Sequence, residues 1–155
     1  MKRFIDLLNE QYKLPADEQA EWATARIERM LIERRILVWH LGDSIPKASR
    51  RVLIGIVPWS AYDLRLLDSL TRACARADDS REQLEIFDVD AAGRASGGYD
   101  YLERTIPGIG KIFQTPVVGV WENGILTQKA SGAAGRDLII DRYMLNRDEI
   151  LPRRA

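Results

Sequence analysis

Residues 52–57, VLIGIV, are apolar at every position, whereas apolar side chains in the twenty residues that follow recur at helical intervals. A strand apolar on both faces has to be covered on both, as the central strands of α/β sheets are. In SAYDLRLLDSLTRACARADD, Leu67, Leu70, Cys74 and Ala77 fall on one side of a helix. LEIFDVD, 84–90, is a second apolar strand. A helix of this length between two such strands predicts a right-handed parallel βαβ unit.

After AAGRASGG the pattern predicts a short helix in YDYLERTI, 99–106, and a loop over PGIGKIFQTP. VVGVW and ILTQKA then read as two strands joined through Glu-Asn-Gly, since Asn-Gly favours the tight turns that close hairpins. AAGRDLIIDRYMLN closes the pattern as a helix that offers Leu138, Ile139, Tyr143 and Leu145 to the sheet. From residue 52 the predicted order is β-α-β-α-β-β-α.

Upstream, KRFIDLLNEQY puts Phe4, Ile5, Leu7, Leu8 and Tyr12 on roughly one side of a short amphipathic helix. In LPADEQAEWATARIERMLIERR, Pro15 precedes Asp17 and Glu18, acids suited to a first helical turn. Ala20, Ala23, Ile27, Met30 and Leu31 follow at helical spacing. ILVWHL, 36–41, fits a strand or the tail of that helix, and GDSIPKASRR is loop. The chain therefore divides into a helical extension at 1–49, an α/β domain at 50–147 and a tail at 148–155.

Composition narrows the functions open to this fold. The 155 residues suffice for one full core. Twenty-three basic residues balance twenty-three acidic ones, so no overall field draws the protein to nucleic acid or an anionic membrane. The doublets Arg34-Arg35, Arg50-Arg51 and Arg153-Arg154 read as solvated surface. One cysteine cannot form an internal disulfide, and with a single histidine it cannot build a Cys/His zinc cluster. Neither a metal nor a cofactor is expected. No apolar run approaches a membrane span, and the N-terminal apolar stretch carries acids that a signal peptide would not. The expected location is cytoplasmic.

Three separated pieces carry a resemblance. VLIGIVPWSAYDL resembles the strand and active-site turn of the thioredoxin-like fold, with Trp59 at the tryptophan that precedes the first cysteine. IFQTPVVGVWENGILTQKASGA resembles that family's cis-proline loop, hairpin and glycine before the last helix, with Thr115-Pro116 at the loop. The resemblance covers about residues 50–147. It implies a three-layer α/β/α architecture with a mixed central sheet, here behind an N-terminal helical extension.

Aligned on Trp59, the family's Cys-x-x-Cys becomes Ser60-Ala61-Tyr62-Asp63. Disulfide exchange needs a thiolate and a resolving thiol, which a hydroxyl and a carboxyl cannot replace. Disulfide oxidoreductase activity and catalytic residues are therefore not expected. Ser60 and Asp63 instead approximate a capping box, in which the serine oxygen accepts a backbone N–H near the third helical position and the acid reaches back. In the resembled family the backbone beside the cis-proline pairs with extended peptides or glutathione. This implies a surviving binding edge of Trp59, Ser60, Tyr62, Asp63, Thr115 and Pro116, with Tyr99, Tyr101 and Phe113 as further aromatic contacts.

The expected function is protein binding without redox chemistry, as an assembly factor, chaperone-like accessory or complex subunit, with self-association through the N-terminal helices as a further expectation. The alternative is a glutathione- or thiol-ligand site using Ser60 near Pro116. Cys74 reads as a buried free cysteine on a helix. His40 has no second histidine or nearby cysteine to suggest catalysis, and Gly-Ile-Gly-Lys at 108–111 lacks the remainder of a phosphate loop.

Overall fold

A computed structural model describes residues 2–40, 43, 49–76, 82–96, 109, 112 and 114–151. The elements are α1 (Asp6–Tyr12), α2 (Ala16–Glu33), β1 (Leu37–Val38), β2 (Arg50–Ile56), α3 (Ala61–Arg76), β3 (Glu82–Asp88), α4 (Val89–Ser96), β4 (Val117–Glu122), β5 (Ile125–Ser131), α5 (Gly132–Tyr143) and α6 (Arg147–Ile150). Five strands form one mixed sheet in the order β1-β3-β2-β4-β5. β3 runs parallel to both β1 and β2, whereas β4 is antiparallel to β2 and to β5. The ILVWHL segment thus contributes an edge strand.

Side chains of β2 alternate between two cores, as strand geometry requires. Val52, Ile54 and Ile56 join Phe4, Leu7, Ile27, Leu64, Leu67, Ile139 and Ile150 on one face. Leu53 and Val57 join Trp39, Phe87, Ala92, Ile109, Ile112 and Trp121 on the other. The glycine within VLIGIV lies on this second face, where a Cβ would stand 2.6 Å from Phe87 Cζ and 2.7 Å from Val117 Cγ1. Arg51 occupies the same face and is wholly buried, with Nε donating to Glu85 Oε1 at 2.7 Å.

Several sequence expectations are corrected. A helix at 89–96 follows β3 directly, in a stretch expected to end a strand and enter a loop; Asp88 starts it by accepting the Ala91 N–H through Oδ1 at 3.0 Å. The expected helix at 99–106 lies outside the described residues. Just before and along α1 the inward positions are Phe4, Leu7 and Gln11, while Tyr12 is exposed. Gln11 is buried because its amide donates to Pro58 O at 2.9 Å. Phe4 and Leu7, from the expected N-terminal extension, and Ile150, from the expected tail, share one core cluster with β2. β1 is a strand of the main sheet.

The hairpin follows its sequence signal: Asn123 and Gly124 have φ of 52° and 82°, the conformation of the turns that fit a twisted hairpin. α5 packs closely on the loop before β4. A Cβ on Gly135 would stand 2.6 Å from Pro116 O and 3.2 Å from Ala130 O, both backbone atoms, so only glycine permits this approach.

Candidate functional site

The turn after β2 is fixed by its own polar groups. The Ser60 N–H donates to Val57 O at 3.3 Å and Ser60 O accepts from the Leu64 N–H at 3.0 Å, opening α3. Ser60 Oγ accepts from the Asp63 N–H at 3.3 Å, the expected cap. The returning arm differs from a capping box. Asp63 Oδ2 accepts from the Val57 N–H at 3.0 Å rather than from the Ser60 N–H, and so closes the turn one residue before the proline. Gln11 holds Pro58 O from the far side. The turn is thereby fastened to both α1 and α3.

Asp63 is 1% exposed and stands where the resembled family keeps its second cysteine. Burial pushes its carboxyl above the ordinary carboxylate range, while Thr115, the Val57 N–H and the charge of Arg136 pull the other way. Oδ1 is buried and makes no hydrogen bond of normal geometry. Asp63 was expected as a surface contact of the binding edge; it lies beneath the surface and organises it. Pro116 is likewise buried, and its carbonyl accepts the Gly132 N–H at 3.0 Å. The Thr115–Pro116 bond is cis.

Two aromatics of the turn do face outward. Trp59 is 61% exposed and Tyr62 48%. Neither is loose. Trp59 Nε1 donates to Asp90 Oδ2 at 2.7 Å, and the Arg136 guanidinium carbon lies 5.1 Å from the centroid of the Tyr62 ring. Thr115, partly exposed, has no backbone hydrogen bond to a described residue. The structure thus joins Trp59, Ser60, Tyr62 and Asp63 on one turn and brings Thr115 to Asp63. Tyr99, Tyr101 and Phe113 lie outside the described residues.

Sequence inspection missed Gln11, Asp90 and Arg136. Nothing in their local patterns distinguishes them, because each meets the turn only through tertiary contact. The remaining candidates lie apart from it. His40 Nε2 sits 2.8 Å from Glu28 Oε1 and Nδ1 3.7 Å from Asp43 Oδ2, on the surface. Cys74 is partly buried, and its thiol is pushed up to about 11 by burial and by Glu82. Among the described residues no group of three histidine, cysteine or acidic side chains could hold a metal ion, and no helix is long and apolar enough to cross a membrane.

A sheet of order β1-β3-β2-β4-β5 with an antiparallel β4–β5 hairpin, a helix opening at the β2 turn and another following the hairpin is the arrangement of the thioredoxin-like α/β fold. Among solved structures the chain is similar to a single-site mutant of thioredoxin from Halobacterium salinarum NRC-1, at 14% identity and TM-score 0.45, covering 69% of this chain and 86% of that one. It is similar to the zinc-bound form of human ERp44 at 11% identity and TM-score 0.46, over 70% of this chain and 29% of that one. A third similarity is to ERdj5 at 16% identity and TM-score 0.43, over 79% of this chain and 15% of that one. No family model and no curated protein matches the sequence.

Proposed function

We propose that this thioredoxin-like chain works by binding another protein through the exposed side of the turn, Trp59 and Tyr62 with Thr115 beside them, and performs no disulfide chemistry. The observation that carries this reading is the way two large aromatics are held in water. Trp59 is anchored by Asp90 and Tyr62 by Arg136, so their rings are ordered and accessible at once. Rigid aromatics that lose little side-chain entropy on docking are favoured anchors of protein interfaces. The positions of the two thiols hold a helix cap and a buried carboxyl, so the turn offers a shape and no nucleophile. A role as an assembly factor or chaperone-like accessory follows from a surface that binds without changing its partner covalently. A thiol-ligand site at Ser60 has less support, because Ser60 Oγ already accepts the Asp63 N–H.

The test is quantitative co-purification from the native cell with wild-type protein, Trp59→Ala/Tyr62→Ala and, as a surface control, Arg50→Gln. Circular dichroism should show all three folded. Loss of a specific partner with the double variant alone is expected. Retention of every partner by a folded double variant would remove this surface from consideration.

A further inference from the structure

Beneath the exposed edge of the turn lie two buried polar atoms, an acceptor and a donor, that have no partner. Asp63 Oδ1 receives no hydrogen bond of normal geometry, and Arg136 Nε gives none. They belong to one neighbourhood. Asp63 Oδ2 accepts the Val57 N–H at 3.0 Å, Thr115 lies beside the same carboxyl, and the charge of Arg136 acts on it. α5 brings Arg136 there because Gly135, the residue before it, packs against the carbonyl of Pro116, next to Thr115. Asp63 Oδ1 and Arg136 Nε nevertheless do not meet. The guanidinium lies over Tyr62 instead, its carbon 5.1 Å from the ring centroid.

This is the arrangement of a neutral acid. A protonated carboxyl keeps one oxygen as an acceptor, here Oδ2 for the Val57 N–H, while the other carries the proton and has no use for an N–H donor. A charged carboxylate at 1% exposure would need a donor at Oδ1, because a buried charge left without one is costly. The elements around the carboxyl offer few. α1 presents the neutral Gln11 amide, spent on Pro58 O, and the loop before β4 presents the Thr115 hydroxyl. From α5 comes Arg136, the one charged group among the described residues that acts on Asp63. Burial meanwhile holds the proton on the carboxyl to higher pH than is ordinary.

We propose that Asp63 is a proton switch beneath the binding edge: neutral, it leaves Arg136 stacked on Tyr62, and charged, it draws the guanidinium off the ring, so that Oδ1 gains a donor and Nε an acceptor. The proton passes to solvent and no covalent bond changes. A cation over a half-exposed ring is held weakly, whereas a charge-assisted bond to a buried carboxylate is strong, so ionisation tips the balance. The consequence for a partner rests on the reading of Tyr62 as a docking anchor. The brace under that anchor is present at low pH and lost as pH rises through the Asp63 midpoint.

Nuclear magnetic resonance of the isotope-labelled full chain from pH 4 to 8 measures the switch with no partner present, so its failure is distinct from failure of the docking reading, which co-purification decides. Stacking on Tyr62 displaces the Arg136 δ and ε protons upfield through the ring current. That displacement should be present at the acid end and should disappear with the same midpoint as the Asp63 carboxyl carbon titrates. In Asp63→Asn, which stays neutral, it should persist at every pH. Arg136→Gln should raise the Asp63 midpoint, because the charge that favours the ionised form is gone, and it carries the comparison if the asparagine variant does not fold. Arg136 protons that ignore the Asp63 titration, or that move alike in folded Asp63→Asn, would overturn the proposal. So would an Asp63 midpoint left in place by folded Arg136→Gln.

Discussion

Glu85→Ala tests the least usual feature of the core. The side chains of Arg51 and Glu85 are 1% and 7% exposed and meet at 2.7 Å on neighbouring strands. Arg51 Nη1 and Nη2 are buried without partners, and the guanidinium carbon lies 5.1 Å from the Trp121 ring centroid. The carboxylate is therefore the main compensation for a charge that has lost its water. Removing one partner of a buried pair costs about 3–5 kcal/mol, because the survivor stays buried and uncompensated. Against a total stability of about 5–15 kcal/mol, that leaves the variant marginal. With a urea slope of about 2 kcal/mol/M, the unfolding midpoint should fall by about 2 M. The double variant Arg51→Met/Glu85→Leu removes both charges while keeping apolar volume, and should lie within about 1 kcal/mol of wild type or above it. Urea unfolding followed by tryptophan fluorescence, with far-ultraviolet circular dichroism as a second probe, measures all the variants. A loss below about 1 kcal/mol for Glu85→Ala would mean that water reaches Arg51, and the reasoning from burial would be wrong.

Two further outcomes follow from the titrating groups. Burial raises the Asp63 pKa in the folded state above its ordinary 3.8, so its contribution to stability is present at low pH and lost as pH rises from that ordinary value through the raised one. Asp63→Asn can still accept the Val57 N–H but cannot ionise, so its stability relative to wild type should grow with pH and then level off; parallel curves from pH 4 to 8 would refute the assignment. With its thiol pushed up to about 11, Cys74 should react with iodoacetamide far more slowly in the native protein than in urea. Equal rates would show that the thiol is open to solvent.

Much of the architecture was legible along the chain because it rests on local rules. VLIGIV had to be a covered strand, Asn123-Gly124 a tight turn and Ser60 a cap, since each depends on the residue's own geometry or on neighbours a few positions away. The helix at 89–96 was missed for the opposite reason. Its start depends on Asp88, which is also hydrogen-bonded through Oδ2 to Thr24 Oγ1 on α2 at 2.6 Å, a contact no local pattern announces. Gln11 was hidden in the same way, since a polar residue turns inward only if a buried carbonyl waits for it, and Pro58 O lies 47 positions along the chain.

For the candidate site, the sequence by itself determined that no pair of thiols stands at the turn after β2, and that a serine, two aromatics and a carboxyl stand there instead. Only the tertiary structure decided what they do. Asp63 goes under the turn because the Val57 N–H needs an acceptor there, and Trp59 and Tyr62 stay in water because Asp90 and Arg136 hold them.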